Sequence, residues 1–222
     1  MLSVVDWGLR EYSDSLAAMH ELVADRRAQR IPDTLVLVEH PPVVTVGIEG
    51  DDGAAAASGL PVVQVERGGR ATYHAPGQLV AYPIVDLTPR GRDVRRFVHD
   101  VEGSVVESIA PFGVVGGHVP GRRGVWVEGR RKIASVGIAV EGWVTYHGVA
   151  LNVDLDLAPF ERFHPCGFEE PVMTSLAREA GREVRVADVK PLLAEAFREI
   201  GARAARRPSP PVTAEFAGPP TA

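Results

Sequence analysis

The chain has 222 residues, 45% hydrophobic and 24% charged, with a formal net charge of −5 at pH 7. It is long enough to bury one sizeable core, and its acidic balance argues against the strongly basic face of a nucleic-acid-binding protein. Its single cysteine, Cys166, excludes an internal disulfide and a multi-cysteine metal site.

The first residues, Met1 to Trp7, carry neither a basic start nor a long apolar stretch, and no later run is long and apolar enough to span a bilayer. A cytoplasmic chain in a reducing compartment, with no membrane partner, is therefore expected. The spacing of Leu16, Met19 and Val23 predicts a helix from about Ser13 to Arg30, capped at Ser13 or Asp14. Strands are predicted at Thr34 to Glu39, Val43 to Gly47, Val62 to Val65 and Leu79 to Ile84, each bounded by proline, glycine or aspartate. Alanine-rich Gly53 to Gly59 reads as a surface loop. Asp93 can cap a second helix, whose apolar face of Val94, Phe97, Val98, Val101, Val105 and Ile109 packs on a sheet. A meander follows through Val125 to Val127, Ile133 to Val140 and Val144 to Leu151, turning at Glu128-Gly129 and Glu141-Gly142. Helices are predicted after a cap at Thr174 and from Val189 to Ile200, the latter stopped by Gly201. The order predicts one α+β domain over residues 1–205, with mixed, mainly antiparallel sheets flanked by helices, and a flexible Pro/Ala-rich tail over 206–222.

Two residues stand out by scarcity. Cys166 sits between Pro165 and Gly167, a constrained turn that aims a side chain better than it packs one. Lys132 and Lys190 are the only lysines beside 22 arginines, and Lys132 follows Arg130 and Arg131. Arginine stays protonated whereas lysine can give up its proton, so a lysine kept in this company points to proton transfer. The densest motif runs from Arg67 to Gln78, and its paired Gly68 and Gly69 let the backbone approach a ligand closely. It is neither a P-loop nor a dinucleotide fingerprint. His74 and His147 each follow a tyrosine at a strand end and fit pocket lining or orientation of the reactive pair. His20, His40, His99 and His118 carry no constellation, and no histidine pair has ligand spacing on one helix, so no metal is expected. Two arginine clusters, Arg90, Arg92, Arg95 and Arg96, and Arg122, Arg123, Arg130 and Arg131, are candidate docking sites for an acidic partner.

Three blocks together resemble the lipoyl(octanoyl) transferase family: Arg67 to Gln78; Lys132 to Gly137 with Tyr146 to Asn152; and Pro165-Cys166-Gly167 with Thr174-Ser175-Leu176. Ala75 departs from the glycine many members carry there. The resemblance implies a biotin/lipoate protein ligase-like fold, transfer of an octanoyl group without a cofactor, octanoyl-acyl carrier protein as donor, and lipoyl domains of 2-oxoacid dehydrogenase complexes and glycine cleavage H protein as acceptors. It implies Cys166 as acyl-thioester nucleophile and Lys132 as the residue lowering its pKa. It also implies an acyl pocket lined by Arg67, Gly68, Gly69, Arg70, Ala71, Thr72, Tyr73, His74, Ser135, Val136, Gly137, Gly148, Val149 and Ala150. Oxyanion donors stay open between the Gly167 amide and those near Gly77. Three other readings remain beside it. An ATP-dependent lipoate or biotin ligase would share the fold without needing Cys166. In a non-catalytic acyl-binding module Cys166 and Lys132 would be incidental. A cysteine hydrolase would activate the thiol with His74 or His147.

Overall fold

The computed structural model describes residues 2–51, 53–162 and 172–203. Cys166 and residues 206–222 lie outside the described residues, so the structure speaks neither to the expected turn at Cys166 nor to the expected tail. Along the chain run β1 (Ser3–Leu9), α1 (Tyr12–Arg27), β2 (Thr34–Glu39), β3 (Val43–Val46), α2 (Ala54–Ala57), β4 (Val62–Gln64), β5 (Ala71–His74), β6 (Gln78–Ile84), α3 (Val94–Ile109), β7 (Gly116–Val119), β8 (Arg122–Val127), β9 (Arg131–Glu141), β10 (Val144–Asn152), α4 (Ala158–Arg162), α5 (Leu176–Ala180) and α6 (Val186–Arg203). Among the described residues no helix is long and apolar enough to cross a membrane.

The architecture is α+β. Seven strands form one mixed sheet in the order β1-β2-β6-β10-β9-β8-β7, antiparallel except for the β1–β2 pair. A smaller sheet, β4-β3-β5, stands apart from it. The period-two alternation of β2 and β6 divides the core. Leu35, Leu37, Leu79 and Ala81 pack toward α3 and α6 with Phe97, Val101, Leu193 and Phe197. Val36, Val38, Val80 and Tyr82 pack toward α1 with Met19 and Val23. Val44, Val46 and Tyr73 of the small sheet form a third cluster with Leu155 and Phe160.

Several boundaries differ from the sequence reading. β1 is added at the sheet edge, where Asp6 and Gly8 interrupt alternation, and β7 is hidden by its two glycines. The segment expected as a loop at Gly53 to Gly59 contains α2, whose Ala55 is buried and donates its amide to Asp51. The first helix ends at Arg27, and the cap expected at Thr174 is Ser175, which accepts from the Arg178 amide. Gly201 does not stop the last helix, which runs from Val186 to Arg203.

One irregularity shapes the centre of the large sheet. Pro83 of β6 accepts from the Thr145 hydroxyl of β10 at 2.6 Å, so the side of Pro83 that lacks an N–H faces β10. The β6–β10 ladder runs from Gln78–Asn152 to Ala81–Val149 and breaks there, pairing resuming only beyond β6 at the Asp86–Val144 bridge. At the break, His147 takes a left-handed backbone (φ 53°) and Gly148 passes so near Ala81 that a Cβ there would lie 2.1 Å from its carbonyl oxygen.

Candidate active site

Between the two sheets lies a cavity of about 320 Å³. Residues 67–70, with Ala71, Thr72 and His74 of β5, form one wall; Val80 and Tyr82 of β6, residues 135–137 of β9 and 147–150 of β10 form the opposite one. Tyr12 closes one side, and Lys132, Arg122 and Arg123 border another. Of the residues expected to line an acyl pocket, Tyr73 does not. Alternation along β5 turns Thr72 and His74 to the cavity and Tyr73 away, where its ring meets Phe160 edge-on at 5.5 Å.

The glycine-rich loop is held by Arg67. Its buried guanidinium donates to the carbonyls of Thr45 (2.8 Å), Gly68 (3.2 Å) and Arg70 (2.9 Å) and to the Thr45 hydroxyl (2.8 Å). The Gly68 amide donates to Ile138 of β9, and a Cβ on neighbouring Gly137 would come within 2.7 Å of the Gly68 carbonyl. Glycine at position 137 is what lets the loop seat on the sheet.

Sequence reading missed the polar cluster at the buried end. His40, Tyr12 and Tyr82 were assigned no role, yet their rings pack among themselves and with His74 and His147, mostly tilted or edge-on, at centroid distances of 5.0–6.5 Å. These residues come from a helix start and separate strands, and no local spacing announces them. The partners assign the tautomers. His40 Nδ1–H donates to the Arg10 carbonyl, so its Nε2 accepts from the Tyr82 hydroxyl, both at 2.7 Å. His74 Nδ1–H donates to Gln78 Oε1 (2.7 Å), and its Nε2 accepts from the Thr45 hydroxyl (3.2 Å). His147 Nε2–H donates to Glu66 (3.4 Å), so its Nδ1 accepts from the Tyr12 hydroxyl (3.3 Å). Burial pulls the pKa of His40 and His147 down to about 4 and that of His74 well below its usual value, and pushes Tyr12 up to about 12. The cluster is neutral.

This neutrality has a cost in acid. An unfolded histidine binds its proton near pH 6.5, whereas His40 and His147 in place do so only near 4. Between those values the unfolded chain holds more protons, so stability falls as pH drops through that window, by roughly 3 kcal/mol for each imidazole at its lower end. Denaturant titrations are expected to show a progressive loss from about pH 7 to about pH 5; a flat profile would contradict neutral imidazoles.

Lys132 lies on β9 and is 3% exposed, which removes it from the solvated strand edge. Its Nζ stands 5.7 Å from the centre of the Trp126 ring, and Gly124 makes room for its stem: a Cβ there would lie 2.8 Å from Lys132 Cε. Buried Glu102 accepts from the Gly124 amide (2.7 Å) and pairs with His118 (2.8 Å), whose ring packs tilted against His99. Two histidines set aside in the sequence thus belong to the support beneath Lys132. Residues 172–174 lie beside the same lysine: Lys132 N donates to the Val172 carbonyl (2.6 Å) and Thr174 N to the Lys132 carbonyl (3.0 Å). Buried amides tie this strip to the cavity wall, Gln78 donating to Asn152 (3.0 Å) and Asn152 to the Thr174 carbonyl (2.9 Å).

The arginine clusters are mixed in character. Arg90 pairs with Asp33 and Arg131 with Glu179, both anchoring the fold, while Arg123 pairs with Glu49 at the exposed rim of the cavity.

Residues 11–198 match the family model of the lipoyl protein ligase A/B catalytic domain. The octanoyltransferase of Geobacter sulfurreducens is 45% identical over 203 residues, covering 91% of this chain and 86% of its own. That of Citrifermentans bemidjiense is also 45% identical, over 195 residues, covering 88% and 95%. Among solved structures, a bi-partite lipoate protein ligase from Thermoplasma acidophilum, described with its E2 lipoyl domain, superposes with a TM-score of 0.67 at 16% identity, covering 90% of this chain and 83% of that one.

Proposed function

Because the chain belongs to the lipoyl protein ligase A/B catalytic-domain family and within it to the octanoyltransferases, which makes it an acyltransferase of protein lipoylation, we propose that it moves an octanoyl group from octanoyl-acyl carrier protein to a lipoyl-domain lysine through a thioester on Cys166. The observation that carries this reading is the placement of Lys132, buried on the wall of the cavity and hydrogen-bonded to the strip at 172–174 that follows Cys166 closely in the chain.

In the first step the Cys166 thiolate attacks the donor carbonyl; a carbon–sulfur bond forms, the bond to the carrier's sulfur breaks, and the departing thiolate takes a proton. In the second the acceptor's amine attacks the Cys166 thioester; a carbon–nitrogen bond forms, the bond to Cys166 breaks, and the amine's proton leaves. Lys132 carries the proton in both halves. A free thiol titrates near 8.5, and an ammonium about 4 Å away contributes roughly 4 kcal/mol toward the thiolate. One thioester replaces another, so the first step needs no ATP. The acceptors are lipoyl domains of 2-oxoacid dehydrogenase complexes and glycine cleavage H protein, and the reaction takes place in the cytoplasm. His74 has both ring nitrogens occupied and its pKa depressed, which favours Lys132 over a histidine as the activating group.

Intact-mass measurement after mixing with octanoyl-carrier protein, without ATP, tests this. An octanoyl adduct is expected on the wild-type chain, absent in Cys166→Ser and discharged by a lipoyl domain. No adduct, or a requirement for ATP, would count against the thioester route.

A further inference from the structure

Lys132 reaches the cavity because its strand is irregular. Uninterrupted alternation along β9 would turn Lys132 to the same side as Ala134, into the core formed with α3 and α6. Instead, one step along β8 from Val125 to Trp126 is matched by two on β9, from Ala134 to Lys132, which leaves Ile133 as the extra residue of a bulge. Ile133 joins Ala134 in the core, and Lys132 is turned to the cavity.

A second irregularity lies on the neighbouring strand. Between the pairs Gly117–Trp126 and Val119–Arg122, two steps on β7 cover four on β8. Gly124 is the midpoint of that excess and takes a left-handed backbone, φ 104°. It lies hard against β9, where a Cβ would come 2.3 Å from the Ala134 carbonyl oxygen and 2.8 Å from Lys132 Cε. Gly124 therefore forms one side of the path taken by the lysine stem.

What holds Gly124 is a carboxylate. Glu102 of α3, 7% exposed, accepts from the Gly124 amide through Oε1 (2.7 Å) and from His118 Nδ1–H through Oε2 (2.8 Å). It shares its helix with the apolar face of Phe97, Val101, Val105 and Ile109, and burying a carboxylate is costly unless its oxygens are used. Glu102 is not among the residues lining the cavity, so its bearing on the reaction passes through Gly124.

We propose that Glu102 is a positioning residue for Lys132: its bond to the Gly124 amide fixes the irregular stretch of β8 and thereby the line of the lysine stem toward the Trp126 ring. Its effect on rate rests on the acyl-transfer reading; its effect on the lysine's place does not. Without the acceptor a buried amide is left unpaired, which is costlier than the bond itself, so β8 shifts to find another partner. A misplacement of about 1 Å costs on the order of a hundredfold in rate.

The chain's two lysines make the test direct. Labelling with 13C-lysine gives two sets of ε-methylene NMR signals, told apart by Lys190→Arg, and that of Lys132 carries the ring-current shift of Trp126, whose ring centre lies 5.7 Å from Nζ. Glu102→Ala removes the acceptor, and Glu102→Asp withdraws it by one methylene. Both are expected to move the Lys132 signal and to lower kcat for octanoyl transfer by about tenfold to a hundredfold, with KM for the carrier-protein thioester within about twofold. Glu102→Gln keeps an oxygen for Gly124. Among the described residues His118 Nε2 has no hydrogen-bond partner, so that ring can exchange its proton and accept from the new amide. This variant is expected to keep the wild-type signal and kcat within about threefold. Circular dichroism at the assay temperature checks each fold, and Glu102→Asp decides the matter if Glu102→Ala does not fold. A Lys132 signal unmoved in the folded variants overturns the assignment, as does a moved signal with unchanged kcat. Glu102→Gln as impaired as Glu102→Ala would show that the bond to Gly124 is not what matters, and would overturn it too. If the wild type transfers no octanoyl group, the transfer reading fails by itself; a Lys132 signal moved in Glu102→Ala and restored in Glu102→Gln still shows that Glu102 places the lysine.

Discussion

Lys132→Arg is expected to lower octanoyl transfer about a hundredfold or more while leaving Cys166 readily alkylated. Arginine keeps the positive charge that favours a thiolate but cannot hand over its proton, so the substitution separates the two duties proposed for the lysine. The lysine stem passes Gly124 and ends near the Trp126 ring. The check is a paired measurement, the iodoacetamide rate at Cys166 against pH and the single-turnover rate of acyl transfer. Full transfer activity in Lys132→Arg would show that charge alone suffices and would remove the proton-carrier role. Slow alkylation together with slow transfer would instead show that the substitution had disturbed the charge.

Gly148→Ala is expected to destabilise the fold by about 3 kcal/mol or more, lowering Tm by roughly 6–12 °C. The added Cβ would lie 2.1 Å from the Ala81 carbonyl oxygen and 2.6 Å from Pro83 Cδ, and neither belongs to a side chain that can swing away. β6 and β9 flank β10 on either side there, so relief requires moving β10 off β6. Gly137, directly opposite on β9, makes a useful contrast. A Cβ at that position meets the Gly68 carbonyl at 2.7 Å and Arg67 Cδ at 2.9 Å, both in the glycine-rich loop that forms a cavity wall and outside the large sheet. Gly137→Ala should therefore lose transfer more than stability. A thermal scan of both variants decides this; a Gly148→Ala Tm within about 2 °C of wild type would contradict the close approach.

Much of this molecule is legible one-dimensionally. Strands β2 to β4, β6 and β8 to β10 are announced by apolar runs cut off by proline, glycine and aspartate, whereas β5 lies inside the glycine-rich motif and is not, and Asp93 caps α3 by accepting from the Arg96 amide as its position suggests. What escapes local reading is structure supported by distant partners. β1 is an edge strand whose pattern is broken by Gly8, and its place comes from parallel pairing with β2. α2 is four alanines, of which Ala55 is buried. The site divides in the same way. Glycine-rich and lysine-centred blocks lie in continuous segments and can be found there, apart from the facing of Tyr73. The wall of Tyr12, His40 and Tyr82 exists only once α1 and β6 are folded together, and each residue looks ordinary by itself.

The defect in the large sheet has a further consequence. Two antiparallel strands of apolar residues can slide by two positions and still present the same faces, so burial alone does not choose between such alignments. β6 and β10 are marked against that slide. The missing N–H of Pro83 needs the stretch of β10 where the ladder is broken, the left-handed turn at His147 fits only there, and the space above Ala81 admits only the residue without a Cβ, Gly148. Displaced by two residues, β10 would bring a side chain into that space and carry His147 away from Tyr12. A proline that looks like a flaw in a central strand thus indexes the sheet, so that the same few atoms face the cavity in every folded copy.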